Sequence, residues 1–256
     1  MGHASYIRQP DGSRYAVLMI HGICGTPRHF DCLLPYIPAD WAVYNILLDG
    51  HGGDPQDFSH SSMKKWKAQA QHRLSELCKQ YDTVIVMGHS MGTLLLLQEA
   101  AQYPQVKGMI LLNSPLKPWV RAGMVVRLLR ITFGCIDEAN VWHTATRSAS
   151  GVAFTKRIWL YLGFIPRYLE LLKLCKLSQP LVSSIAIPCY ACHSRFDELV
   201  SARSVPFFQD HPMIHHDMLE HSGHFYYAPE DLELIAAGIE TLFNRISERK
   251  EPSYER

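Results

Sequence analysis

Short apolar runs alternate with segments of helical periodicity along most of this 256-residue chain. Runs of Val, Ile, Leu, Met and Tyr bounded by turn residues predict buried strands, and longer segments with apolar residues three and four positions apart predict helices. The predicted strands are Tyr15–Ile20, Ala42–Leu48, Thr83–Met87, Val106–Leu112, Ile185–Cys192 and Pro212–Leu219. The predicted helices are Pro27–Leu34, Ser61–Gln80, Thr93–Tyr103, Glu198–Phe208 and Pro229–Ser247.

A regular alternation of strands and helices is typical of a mainly parallel, doubly wound sheet with helices on both faces. The length of the chain fits one sizeable domain with an insertion. In doubly wound sheets ligands bind at the carboxyl ends of the strands. The loops that follow the predicted strands are therefore where functional side chains are expected.

One segment, residues 115–184, interrupts this alternation. It carries no strand signal and only helical patches, so the sequence predicts an inserted helical cap between two parts of a core, residues 1–114 and 185–256. The segment holds ten Lys and Arg residues against three acids, a formal charge of about +7, whereas the whole chain has a net charge of +1. The rest of the chain is therefore acidic.

The strand Thr83–Met87 is followed by the motif Gly88-His89-Ser90-Met91-Gly92. A serine held at a sharp strand-to-helix turn needs a strained backbone, and flanking glycines allow the strand and the helix to approach each other. The helix that begins beside Ser90 directs free N–H groups and the positive end of its dipole towards any oxyanion formed there. A serine that merely caps a helix would produce the same pattern. The motif alone leaves both interpretations open.

Polar residues also follow other predicted strands. The loop His21–Phe30 after the first strand contains two glycines and is a candidate oxyanion hole. Asp197 follows the fifth strand and His224 follows the last. A serine, an aspartate and a histidine thus occur in that order, each at the carboxyl end of a strand.

Other residues compete for these roles. Asp217 falls inside a predicted strand, and His221 lies closer to that strand than His224 and lacks a preceding glycine. His51 and His89 are interpreted as structural. The histidine-rich stretch 211–224 does not have the spacing of an H-x-x-E-H metal motif. Asp197 could also be an acid that caps the following helix. The positions favour Asp197 and His224 over their competitors, and the spacing gives no reason to expect a metal site.

The motifs HGICGTP, LDGHGGDP, GHSMG, HSRFDELV and HSGH together resemble those of the α/β-hydrolase superfamily, and most of all its small bacterial carboxylesterases and monoacylglycerol lipases. The resemblance covers essentially the whole chain. It implies an α/β-hydrolase fold in which residues 115–184 form the cap. Cys24 and Thr26 occupy oxyanion-loop positions where the family varies. The roles implied by the resemblance are Ser90 as nucleophile, Asp197 as acid, His224 as general base, and the backbone N–H groups of Ile23 and Met91 as oxyanion hole.

These residues suit acyl transfer. His224 would take the proton of the Ser90 hydroxyl while Asp197 holds the imidazole in the required tautomer, and the chemistry needs no metal or organic cofactor. We expect a serine esterase that cleaves small to medium carboxylic esters, with monoacylglycerols among the candidates. Amide or thioester hydrolysis, or a binding protein without turnover, are the alternatives. Aromatic residues of the insertion predict an apolar acyl or aryl site: Phe133, Trp142, Phe154, Trp159, Tyr161, Phe164 and Tyr168.

Charge and cysteine content restrict partners and location. A net charge of +1 gives no reason to expect nucleic-acid binding, so the expected partner is a small-molecule ester. Basic and apolar residues are interleaved over FTKRIWLYLGFIPRYLELLKLCK, residues 154–176, a pattern found both in solvated helices and in helices that bind anionic membranes. Seven cysteines, an odd number, and an N-terminal stretch without an apolar signal core favour the cytoplasm. The sequence does not indicate an oligomeric state.

Overall fold

Seven strands form a single sheet in the computed structural model, which describes residues 3–248. They are β1 (Tyr6–Arg8), β2 (Tyr15–Ile20), β3 (Ala42–Ile46), β4 (Thr83–His89), β5 (Val106–Leu112), β6 (Cys189–Ser194) and β7 (Ile214–Leu219). Their order across the sheet is β1-β3-β2-β4-β5-β6-β7, and every neighbouring pair is parallel except β1 with β3. The predicted, mainly parallel doubly wound sheet is confirmed. The sequence reading missed β1 because three residues carry no alternating pattern.

The described residues contain seven α-helices. They are α1 (Pro55–Ser59), α2 (Met63–Gln80), α3 (Met91–Glu99), α4 (Ala122–Phe133), α5 (Val141–Ala149), α6 (Ile165–Val182) and α7 (Pro229–Ser247). Helix α7 has the predicted bounds. The predicted helices Pro27–Leu34 and Glu198–Phe208 are wrong, because the structure has only short 3₁₀ turns at Pro27–Phe30, Leu34–Tyr36 and Ala202–Phe207. In the last of these, Pro206 lacks the N–H that an α-helix would need.

Two apolar layers cover the two faces of the sheet. Successive strand residues point to opposite faces, so Leu18 packs in the layer with α2, α3 and α6, while Met19 packs in the layer with α7. Cys189 and Cys192 likewise lie in different layers, as their three-residue spacing predicts. Since both faces are covered, the carboxyl edge of the sheet is where its loops can form a site.

The segment 115–184 contains α4, α5, a 3₁₀ turn at Ile158–Phe164 and α6. Helix α6 packs against α2 and α3, and its side chains Leu171, Leu174 and Val182 belong to one of the two apolar layers of the sheet. Helix α5 packs against the 3₁₀ turn Pro27–Phe30. The division between core and cap at residues 115 and 184 stays a prediction, since α6 shares its packing with the core.

No helix within residues 3–248 combines the length and the apolar character needed to cross a membrane. All seven cysteines lie in this part of the chain and are unpaired. Two of them, Cys32 and Cys135, are exposed, and Cys24 is partly exposed.

Candidate active site

Ser90 is the single residue between the end of β4 and the start of α3. Its backbone has φ 52° and ψ −122°, a conformation that is strained for any residue with a side chain. A Cβ atom on Gly92 would collide with the carbonyl group of Ile20, and one on Gly88 would lie 2.6 Å from the nitrogen of Thr93. The side chain of Ser90 makes no capping hydrogen bond to α3. These observations favour the nucleophile interpretation of Ser90 over the helix-cap interpretation.

Asp197 and His224 meet at the carboxyl edge, in the loops that follow β6 and β7. His224 Nδ1 donates a hydrogen bond of 2.8 Å to Asp197 Oδ2, and the two side chains are only 2% and 3% exposed. Asp197 Oδ1 accepts hydrogen bonds from the backbone N–H groups of Leu199 and Val200, at 2.8 and 2.7 Å. The carboxylate is therefore fully hydrogen-bonded, and it fixes the ring orientation of His224.

The loop of His224 is also tied to the serine turn. The ring of His89, next to Ser90, donates a hydrogen bond of 3.0 Å from Nε2 to the backbone carbonyl of His224. Among the described residues, Ser90 Oγ itself makes no hydrogen bond to His224. Such contacts are often long before substrate binds and tighten in the complex. The structure brings all three residues to one edge, with the predicted base and the predicted acid in direct contact.

The candidate oxyanion loop passes directly over Ser90. A Cβ atom on Gly22 would lie 2.9 Å from Ser90 Cβ and 3.4 Å from Ser90 Oγ, so glycine is required for this close approach. Met91 is the first residue of α3, and its N–H has no partner within the helix. The N–H of Ile23 has no acceptor among residues 3–248. The two N–H groups that the resemblance implies are thus unoccupied in the described part of the chain.

The next residue of this loop, Cys24, is held in place by main-chain and side-chain contacts. Cys24 has φ 54°, and its N–H donates to His51 Nε2 at 3.1 Å. Its carbonyl accepts a hydrogen bond of 2.7 Å from the N–H of Gly151, in the segment 115–184. The carbonyl of Gly151 in turn accepts from the N–H of Gly52. A Cβ atom at position 151 would collide with the carbonyl of Gly25, so the segment 115–184 contacts the candidate oxyanion loop through the main chain.

Four buried histidines lie around the site, and among the described residues none of them forms a hydrogen bond with the side chain of Asp197 or of His224. Burial lowers the pKa of His29 to about 3 and that of His51 to about 4. Burial and neighbouring histidines also lower the pKa values of His21 and His89 well below 6.5. They are neutral at physiological pH and serve as hydrogen-bonding groups. The hydrogen bonds of His51 and His89 to the main chain agree with the structural role predicted for them, which stays a prediction. The sequence pattern did not single out His21 or His29.

The competing residues lie elsewhere. The side chain of His221 is exposed, and its backbone N–H donates to Asp231 Oδ2 at 2.8 Å. Asp217 lies within β7, 3.4 Å from His215 Nε2. Among the described residues, no group of three or more His, Cys, Asp or Glu side chains is arranged to hold a metal ion.

An apolar cavity of about 330 Å³ lies between Cys24 and the segment 115–184. Burial raises the pKa of the Cys24 thiol to about 12, so the thiol stays protonated and is not a competing nucleophile. Four of the seven predicted aromatic residues line the cavity, and Phe133, Trp142 and Trp159 do not. The lining residues are Cys24, Val125, Leu128, Leu129, Thr132, Ser150, Val152, Ala153, Phe154, Tyr161, Phe164, Ile165 and Tyr168.

The sequence reading also missed two charged residues at the site. Glu198, directly after the proposed acid, is buried and accepts a hydrogen bond of 3.0 Å from the backbone N–H of His224. Arg127 of α4 forms an ion pair with Glu198. No local signal connects the two residues, because they lie 71 positions apart in the chain.

Comparison with known families places this architecture among hydrolases. The model of the alpha/beta hydrolase family matches residues 17–237. A curated relative, the thermostable monoacylglycerol lipase of Bacillus sp. (strain H-257), is 32% identical over 110 residues, which span 42% of this chain and 44% of that protein. The aligned part is therefore less than half of the length of that relative.

Solved structures match nearly the full length. One from work on the metagenome-derived lipolytic enzymes LipS and LipT has a TM-score of 0.72 at 21% identity, covering 95% of this chain and 98% of that chain. A soluble variant of monoglyceride lipase from Saccharomyces cerevisiae has a TM-score of 0.66 at 13% identity, covering 94% and 91%. The N-acyl homoserine lactonase AidH has a TM-score of 0.65 at 15% identity, covering 98% and 96%. At these identities the likeness shows a common fold.

Proposed function

The chain belongs to the alpha/beta hydrolase family, and we propose that within it the chain is a serine hydrolase that cleaves carboxylic esters through an acyl-enzyme on Ser90. The observation that carries this proposal is the buried 2.8 Å hydrogen bond from His224 Nδ1 to Asp197 Oδ2, beside a serine in a strained strand-to-helix turn. The order of these residues along the chain is the one that α/β-hydrolases use.

In the proposed reaction, Ser90 Oγ attacks the ester carbonyl carbon while His224 Nε2 takes the hydroxyl proton. Asp197 stabilises the imidazolium that results. The negative charge on the carbonyl oxygen is stabilised by the N–H groups of Ile23 and Met91, each worth about 3 kcal/mol. His224 then protonates the leaving alcohol. Water repeats the sequence on the acyl-enzyme and releases the acid.

The apolar cavity supports an acyl group of small to medium length as the bound part of the substrate. It begins at Cys24, next to the oxyanion residue Ile23, and extends under α4 and the start of α6. Residues 115–184 would thus act as a lid over the acyl site. Monoacylglycerols are the first esters to test, because the curated relative is a monoacylglycerol lipase. Amides and thioesters would pass through the same acyl-enzyme and remain the alternative substrates.

The surface of the segment 115–184 supports a second role, contact with anionic lipid. Most of the large apolar side chains exposed within residues 3–248 lie there, among them Trp119, Trp159 and Leu162. Apolar side chains flanked by Lys and Arg are typical of surfaces that bind the headgroup region of anionic membranes. The exposed cations of this segment with no acidic partner in the described part of the chain are Arg121, Arg130, Lys156, Arg157, Lys173 and Lys176.

The unpaired cysteines support a reducing compartment, and we propose the cytoplasm as the location of the protein. This proposed location is compatible with contact at a membrane surface from that side.

The test of the enzymatic proposal is covalent labelling combined with a substrate series. A fluorophosphonate should label the wild-type protein and should not label Ser90→Ala, which should keep its fold because the Ser90 hydroxyl makes no capping hydrogen bond to α3 and the substitution only removes one atom. Ser90→Ala should lower kcat/KM for p-nitrophenyl esters by at least about a thousandfold. Glycerides, amides and thioesters in the same assay separate the substrate classes. Wild-type protein that neither reacts with the label nor hydrolyses any of these would contradict the proposal.

A further inference from the structure

A buried ion pair joins cap helix α4 to the loop that carries the proposed acid. Arg127 Nη1 lies 2.6 Å from Glu198 Oε1, and the two side chains are 15% and 9% exposed. Asp197 precedes Glu198 directly, so the ion pair adjoins the acid–base pair. A charged pair in such a place is costly to desolvate and is retained only when both partners are well satisfied.

The second carboxylate oxygen of Glu198 contacts the backbone of the proposed base. Glu198 Oε2 accepts a hydrogen bond of 3.0 Å from the backbone N–H of His224. One carboxylate thus contacts a cation of the cap on one side and the main chain of His224 on the other. Since a hydrogen bond to an ionised acceptor is stronger than a neutral one, this contact fixes the position of the His224 backbone.

Arg127 makes two further contacts within the cap. It donates to Thr146 Oγ1 at 3.3 Å, and its guanidinium lies 5.5 Å from the centre of the Trp142 ring. The Trp142 ring packs against Tyr226, two residues after His224, with the ring centres 5.2 Å apart. The guanidinium therefore lies between Glu198 of the acid loop and Trp142 of α5, and Trp142 contacts the loop that carries His224.

Main-chain hydrogen bonds run alongside the ion pair. The N–H groups of Trp119 and Arg121 donate to the carbonyls of Leu199 and Glu198, each at 2.9 Å. The N–H of Ser201 donates to the carbonyl of Lys117 at 2.9 Å. Leu199 also supplies one of the N–H groups that hold Asp197. The entry to the cap and the acid loop are consequently one hydrogen-bonded unit.

We propose that Arg127 and Glu198 are positioning residues that hold the imidazole of His224 in line with Ser90, so that docking of the cap on the core also aligns the catalytic groups. This inference rests on the proposed function. It adds that the cap takes part in catalysis through an ion pair, in addition to enclosing the acyl site.

The test uses the opposite charges of the pair. Arg127→Met leaves an unpaired carboxylate beside His224. This carboxylate stabilises the protonated imidazole, so the acid limb of the plot of kcat/KM against pH should move to higher pH. Glu198→Gln leaves an unpaired guanidinium and should move that limb to lower pH. We expect shifts of about half to one pH unit. The double variant Arg127→Met/Glu198→Gln removes both charges and should return the limb to the wild-type position.

Each single variant should also lower kcat by about tenfold or more with a smaller change in KM, because misplacement of a catalytic group affects the chemical step. Fluorophosphonate labelling of Ser90 should slow in parallel. The groups that face His224 and must stay unchanged in these comparisons are Asp197 on the acid loop, His89 beside the serine and His29 on the oxyanion loop.

A matched control exists within the cap. Arg147 and Glu138 form an ion pair of the same length, 2.6 Å, but their side chains are 47% and 62% exposed. Arg147→Met and Glu138→Gln should leave the pH profile and kcat unchanged. Acid limbs that stay fixed in both Arg127→Met and Glu198→Gln, or move in the same direction, would overturn the inference. If the fluorophosphonate labels Ser90 of the wild-type protein in the same experiment, only this inference fails. If it does not, the proposed function itself fails.

Discussion

Helices α4 and α7 both have an amphipathic sequence, but they use their apolar residues differently. Helix α7 buries Ile235, Ile239, Leu242, Phe243 and Ile246 against the sheet. Helix α4 buries Met124 and Ile131 and leaves Val125, Val126, Leu128, Leu129 and Phe133 exposed. Part of that exposed face lines the apolar cavity proposed to bind the acyl group. The spacing of apolar residues thus predicts that a helix forms. It does not predict whether the apolar face of that helix packs against the core or lines a cavity.

The largest expected difference between the two helices is in the free energy of unfolding after truncation of one apolar side chain to alanine. Ile239→Ala creates a cavity under the sheet and should lower the free energy of unfolding by about 2–5 kcal/mol. Val126→Ala, on the half-exposed face of α4, should change it by less than about 0.5 kcal/mol. Urea denaturation of both variants makes the comparison. Similar losses of unfolding free energy in the two variants would mean that the apolar face of α4 is packed against other residues in solution.

A larger side chain on α4 should change specificity without changing stability. Leu129 lines the cavity and is half exposed, so Leu129→Trp can fill the cavity without straining the core. We expect kcat/KM for long acyl esters to fall about tenfold or more relative to short ones. A series of p-nitrophenyl esters measures the change, with Val126→Trp as the control that does not line the cavity. An unchanged chain-length profile would show that acyl groups bind elsewhere.

The basic residues of the cap provide a weaker effect. Lys173→Glu/Lys176→Glu should lower cosedimentation with vesicles that contain anionic lipid several-fold, and binding by wild type should decrease with salt. Lys79→Glu/Lys107→Glu makes the same change in net charge at exposed sites on α2 and β5 and should have little effect. Equal losses for the two double variants would indicate a general charge effect. Absence of wild-type cosedimentation with anionic vesicles would refute the lipid proposal.

Two buried histidines beside the candidate site should make the stability of the protein sensitive to acid. The folded-state pKa values of His29 and His51, about 3 and about 4, lie below the unfolded value of about 6.5. Their contribution to stability is complete above pH 6.5 and is lost as the pH falls through the window between 6.5 and those values. Within this window, protonation of each histidine lowers the free energy of unfolding by up to about 1.4 kcal/mol per pH unit.

The melting temperature should therefore fall between pH 6.5 and pH 5, and the fall should be smaller for His29→Phe. Scanning calorimetry across this range is the measurement. A melting temperature of the wild type that does not change over this interval would mean that these histidines accept protons in the folded protein.

The sheet and the positions of Ser90, Asp197 and His224 could be predicted because each depends on a local pattern, a strand followed by a loop with a polar residue. The same reasoning missed β1, which is three residues long, and mistook the 3₁₀ turn around Pro206 for an α-helix. It could not find the contact between Arg127 and Glu198, because a pair so distant in sequence is created only by tertiary packing. The catalytic roles themselves stay predictions until Ser90 is labelled.

The main-chain contact of Gly151 with the oxyanion loop has an evolutionary consequence. The cap is joined there by the Gly151 N–H and the Cys24 carbonyl, and at its entry by the backbone of residues 117–121. Neither junction depends on the identity of the side chains that line the apolar cavity. Under the proposed function, mutations can therefore accumulate in that lining and change the range of accepted acids while the attachment of the segment 115–184 persists. Position 151 is the exception, since any larger residue would push the cap away from the oxyanion loop.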